Sequence, residues 1–86
     1  MKESHVTVQW KAGLHLRPAA KLVQLGKDAK STIQIKSGNK VANIKNIMSL
    51  LMLCASMGTT LTIEANGEDE QEVTQNIERL FMDPDA

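Results

Sequence analysis

His15, Arg17 and Pro18, standing just after Gly13, are the residues of this chain best equipped for chemistry. Imidazole titrates near neutrality, so a nucleophilic ring nitrogen is available at physiological pH. Guanidinium offers a planar fork of donors that matches phosphate oxygens. The hydrophobic pattern puts these residues where a strand gives way to a helix. A helix's first turn presents unpaired backbone N–H groups and partial positive charge, so it attracts anions. Pro18 has no N–H to leave unpaired in that turn, and its fixed φ suits a helix start. Gly13 allows a tight or left-handed backbone just before the site. A lone histidine at a helix start is more often a polar cap, but these neighbours describe a carrier of a phosphoryl group. His15 is the expected acceptor, with Arg17 and the backbone N–H groups of Leu16 and Arg17 expected to hold the anion.

The elements that must position them follow from periodicity. His5 to Trp10 alternates, with Val6, Val8 and Trp10 on one face and His5, Thr7 and Gln9 on the other, which predicts a half-buried strand with His5 exposed. From Leu16 the period becomes helical, with Ala19, Leu22, Val23 and Gly26 on one stripe. Thr32 to Lys36 is a second strand with Ile33 and Ile35 inward. Ser37-Gly38-Asn39 is its hairpin turn, and Lys40 to Ile44 is the returning strand. Asn46 is a good N-cap for a helix from Ile47 that Gly58 stops. Thr60 to Ala65 makes a fourth strand, with Leu61, Ile63 and Ala65 on one face. Gly67-Glu68-Asp69-Glu70 opens a last helix, its stripe formed by Val73, Ile77, Leu80 and Phe81 and its end set by Asp83-Pro84. The order is β-α-β-β-α-β-α. One apolar face per strand and one apolar stripe per helix predict an α+β fold of two layers, an antiparallel sheet covered on one side.

The second helix carries more apolar residues than one stripe can bury. Leu50, Leu53 and Cys54 are expected in the core, which leaves Ile47, Met48 and Leu51 exposed as a docking patch. Methionine suits such a patch because its flexible thioether adapts to different partners.

Eighty-six residues make one domain, 1–86, with a small core. No signal peptide is read, and no apolar run is long enough to insert into a membrane. Cys54 is the only cysteine, so no internal disulfide forms, a reducing cytoplasm is the expected compartment, and the thiol is expected to be an inert small hydrophobe. The formal net charge is zero, yet nine of the ten basic residues lie in positions 1–45 and eight of the ten acidic ones in positions 64–86. The lysines stand singly among almost no aromatics, which excludes nucleic acid as the partner. A basic rim around His15 that steers an acidic protein is the better use. No acidic cluster stands beside His15 in the sequence, so neither metal nor cofactor is expected.

Gly13-Leu14-His15-Leu16-Arg17-Pro18-Ala19 resembles the phosphorylation-site signature of HPr, the histidine-containing phosphocarrier of the bacterial sugar phosphotransferase system. The element order, Ile47-Met48, Gly58-Thr59 and Gly67-Glu68-Asp69-Glu70 extend the resemblance over essentially the whole chain. It implies an open-faced β-sandwich whose antiparallel sheet has the order 1-4-2-3 with three helices on one face. It implies that His15 accepts a phosphoryl group on Nδ1 from Enzyme I and passes it to a histidine on an Enzyme IIA domain in sugar uptake. Arg17 and the helix N-terminus then stabilise the phosphate, and partners dock around this loop and on the second helix. A monomer is expected, acting as a carrier with a phosphohistidine intermediate and not as a stand-alone turnover enzyme.

Two positions depart from the family pattern. Asn46 stands where many members have a serine phosphorylated by a dedicated kinase. Leu16 stands where a small alanine is common. Other readings stay open: a nitrogen-branch regulatory paralogue with the same chemistry, or a non-catalytic HPr-like module that binds regulatory proteins. The sugars or Enzyme II served downstream are not encoded in this chain.

Overall fold

The computed structural model describes residues 1–86. Alternation of apolar and polar side chains produces four strands: β1 (Lys2–Thr7), β2 (Thr32–Ser37), β3 (Lys40–Asn43) and β4 (Thr60–Asn66). They form one antiparallel sheet in the order β1-β4-β2-β3. Val6 lies opposite Leu61, Ile35 opposite Ile63 and Ile33 opposite Ala65, so one face of the sheet is continuously apolar. Helices α1 (Leu16–Asp28), α2 (Ile47–Met52) and α3 (Glu70–Phe81) cover that face. The other face stays open and polar, with His5 beside Thr62 and Lys36 paired to Glu64 at 2.9 Å. Gly38, with φ 60, occupies the first central position of the β2–β3 turn, the place a II′ hairpin reserves for glycine.

Helix α1 buries Pro18, Ala19, Leu22 and Gly26. A Cβ at Gly26 would meet Ile44 Cγ2 at 2.5 Å, so the missing side chain is what lets α1 approach Ile44. Helix α3 buries Val73, Thr74, Ile77 and Phe81. Thr74 enters the core because its hydroxyl donates to the Glu70 carbonyl at 2.7 Å. The expected Leu80 is only half-buried.

Three further expectations are corrected. Strand β1 spans Lys2–Thr7, although Val8 and Trp10 still point inward and Val8 N–H donates to the Thr59 carbonyl at 2.9 Å. Helix α2 stops at Met52, well before Gly58, because Cys54 takes a left-handed conformation (φ 52) that no helix interior accommodates. Cys54 is therefore exposed and not part of the core stripe. The third correction concerns Ile47 and Leu51, which are half-buried against the core and not free on the surface.

The β4–α3 corner is pinned by polar contacts. Asp69 accepts the Ser31 hydroxyl at 2.5 Å and the Lys30 N–H at 2.9 Å. These bonds hold its carboxyl below its ordinary value of 3.8, the Ser31 hydroxyl contributing most. A depressed folded pKa means the stabilisation is fully present above 3.8 and fades as pH falls through the lower folded value. Asp69→Asn should therefore unfold at lower urea concentration than the parent at pH 7. The gap should close below the ordinary value of 3.8, and urea midpoints measured across pH would show it.

Candidate functional site

The loop before α1 is shaped by backbone contacts. Trp10 ends the first apolar run, and its carbonyl accepts the Gly13 N–H at 2.9 Å, closing a tight turn. Gly13 has φ 71 and lies so close to the segment after α2 that a Cβ would sit 2.4 Å from the Ala55 carbonyl oxygen. The next residue ties the two segments together, Leu14 N–H donating to that same oxygen at 2.8 Å. The His15 N–H turns back to the Gly13 carbonyl at 2.9 Å. His15 thus arrives at the N-cap of α1 with extended backbone (φ −96, ψ −173), and its carbonyl accepts the first helical bond from Ala19 at 3.1 Å.

The cap is unusual in what it leaves free. His15 makes no side-chain capping bond, and its Nδ1 is enclosed without any hydrogen-bond partner. Turning the imidazole to present that nitrogen costs no bond. The N–H groups of Leu16 and Arg17 have no acceptor within the protein, and Pro18 has no N–H. Two backbone donors therefore point outward beside the imidazole at the positive end of a thirteen-residue helix. Arg17 is exposed and forms no ion pair, so its guanidinium is uncommitted. A groove lined by His15 and Arg17 opens between the Gln9–Ala12 segment and Pro84, Asp85 and Ala86. Such an arrangement has the donors to hold a tetrahedral oxyanion against a ring nitrogen.

The sequence-predicted residues thus separate into two groups. His15, Leu16 and Arg17 come together at the start of α1. Ile47, Met48 and Leu51 sit on α2, and of these three only Met48 is well exposed, at 62%. Asn46 caps α2, accepting the Ser49 N–H at 3.2 Å. Sequence reasoning missed Met52 and Met57, exposed at 67% and 58%, because α2 was expected to continue past them. It also missed Pro84, Asp85 and Ala86, whose distance along the chain gave no signal. The Ala55 carbonyl was foreshadowed only by Gly13.

A family model described as "PTS HPr component phosphorylation site" matches residues 2–83. The chain belongs to the HPr phosphocarrier family. It is 44% identical over 69 residues to phosphocarrier protein HPr of Haemophilus influenzae, covering 80% of this chain and 81% of that one. It is 40% identical over 77 residues to the HPr-like protein Crh of Bacillus subtilis, covering 90% of this chain and 91% of that one. The crystal structure of HPr-C-His from Thermoanaerobacter tengcongensis superposes with a TM-score of 0.90 at 36% identity, over 95% of this chain and 92% of the other. The 1-4-2-3 sheet with its three helices is thus the HPr architecture.

The close approach at Gly13 makes a direct prediction. Gly13→Ala adds both a left-handed strain and a clash with the Ala55 carbonyl, and should cost about 1–3 kcal/mol. Urea unfolding measures the loss, and amide exchange at Leu14 should accelerate with it.

Proposed function

We propose that His15 accepts a phosphoryl group on Nδ1 from Enzyme I and hands it to the histidine of an Enzyme IIA domain in sugar uptake. The observation that carries this reading is the enclosed, unpartnered Nδ1 at a helix N-cap whose Leu16 and Arg17 N–H groups are also unpaired. In each transfer a P–N bond forms at His15 as the donor's P–N bond breaks, and the reverse happens on delivery. The two nitrogens are alike, so the exchange is nearly isoenergetic, and positioning with charge stabilisation is what the carrier must supply. The Leu16 and Arg17 N–H groups and the Arg17 guanidinium meet the charge on the phosphoryl oxygens. Met48, Met52 and the exposed Leu16 supply an apolar docking surface, with Ile47 and Leu51 supporting it from below.

Similarity to Crh raises a regulatory reading, in which the chain only binds other proteins. Retention of His15 and the asparagine at position 46, which cannot take the phosphate a serine would, favour the carrier. A nitrogen-branch role uses the same chemistry and differs only in donor and acceptor.

Incubation with phosphoenolpyruvate and purified Enzyme I should add one acid-labile phosphate, read by intact mass. His15→Ala should abolish the gain while unfolding within about 0.5 kcal/mol of the parent, because the imidazole makes no hydrogen bond. Uptake of phosphate by that variant would overturn the assignment. Arg17→Ala should keep the fold and slow transfer by roughly a hundredfold, as loss of an oxyanion donor does. Met48→Asp should raise the KM for Enzyme I while saturating donor still phosphorylates His15 fully.

A further inference from the structure

Methionine is used in this fold in one way only. All five methionines are exposed, from Met57 at 58% to Met82 at 73%, and none is among the 20 residues of the core. A flexible thioether ordinarily fills irregular gaps in a core, but here leucine, isoleucine, valine, alanine and two aromatics fill it without one. Met48 and Met52 stand four residues apart on α2 and so share one side of that helix. They are its only fully exposed side chains. Met52 also lines a groove with Lys40, Val41, Ser49 and Leu53, where the exposed Val41 extends the apolar surface. The part of α2 that a partner would meet first is therefore made of thioethers, which peroxide converts to polar sulfoxides when they are accessible.

We propose that Met48 and Met52 are modification sites at which hydrogen peroxide, by oxidising them to sulfoxides, reversibly weakens docking of the phosphoryl donor. The inference rests on the reading of α2 as a surface that meets Enzyme I. In the reaction a sulfur lone pair attacks one peroxide oxygen. An S–O bond forms, the O–O bond breaks, and the hydroxide released takes the proton of the new S–OH group to leave as water. Sulfur is oxidised and peroxide is reduced. A dithiol reductant reverses the step, giving up its hydrogens to release the oxygen as water while it becomes a disulfide. Docking takes this surface out of water, and a sulfoxide oxygen left unpaired there weakens the complex. His15, Arg17 and the Leu16 and Arg17 N–H groups contain no sulfur, so the proposed phosphoryl site is untouched. No methionine lies in the core, so the fold survives the same reaction. Oxidation therefore acts on affinity alone.

The test treats the parent, Met48→Leu/Met52→Leu and Cys54→Ser with dilute hydrogen peroxide and compares each with its own untreated sample. Fragment masses locate the sulfoxides, and KM and kcat are measured for phosphorylation by Enzyme I with phosphoenolpyruvate. In the parent, KM should rise roughly tenfold, the effect of one unpaired polar group in an interface, with kcat unchanged. Methionine sulfoxide reductase with a dithiol should restore KM, and the urea midpoint should not move. The double leucine variant should keep its own untreated KM although Met1, Met57 and Met82 are exposed and oxidised in it. Cys54→Ser should lose affinity as the parent does, which separates the sulfoxides from the exposed thiol. The proposal is overturned by an unchanged KM in a parent oxidised at both sites, or by an equal loss in the double leucine variant. A treated Cys54→Ser chain that keeps its KM, or a treated parent that unfolds, overturns it too. A chain whose KM ignores Met48→Asp as well as oxidation would overturn the docking reading, and this inference with it.

Discussion

The Ala55 carbonyl is the contact on which the site depends. It accepts the Leu14 N–H and lies closer to Gly13 than any side chain permits. One oxygen therefore fixes the height and direction at which the chain enters α1. With that entry set, His15 takes the N-cap position, and Leu16 and Arg17 present their N–H groups beyond it. The price falls on the partner segment: the chain leaving α2 must turn sharply, and Cys54 goes left-handed to let it do so. The brevity of α2 and the geometry around His15 are two consequences of one backbone contact.

A second close approach works the same way at the far end of α1. Gly67 lies against Ser31, where a Cβ would meet the Ser31 Cα at 2.6 Å, and Asp69 gathers the Ser31 hydroxyl and the Lys30 N–H. Helix α1 is thus anchored at both ends to segments bordering β4, the inner strand between β1 and β2. Its apolar stripe rests on the sheet between those anchors. A helix held at both ends can leave its N-terminal donors unsatisfied without fraying, and those donors are what the proposed phosphoryl chemistry would use.

Much of this was legible in the residues. The alternation around Ile33, Ile35, Leu61 and Ile63 and the stripe of Ala19, Leu22 and Gly26 specify the element types, because each period permits only one kind of buried face. His15, Arg17 and Pro18 are adjacent in the chain, so their grouping needed no folding to bring them together. The reading failed for α2. Six apolar residues in succession from Leu50 to Ala55, followed by a serine and then Met57, carry no period that distinguishes a helix from an apolar turn. Leu51 and Ile47 were placed outside for the same reason, since a helix of only six residues has no well-defined outer face.

The sequence by itself determined that His15 and Arg17 stand together at the start of a helix, the order of elements and the two-layer architecture, all of which depend on neighbours in the chain or on local periodicity. Only the tertiary structure decided that the Ala55 carbonyl would lie under Gly13, that Cys54 would be exposed, and that Trp10 would hold Asp83 with Asp85 beside the site. These pairings join residues from 41 to 73 positions apart. Contacts of that separation leave no periodic trace, because they arise from where packed elements happen to deliver their ends.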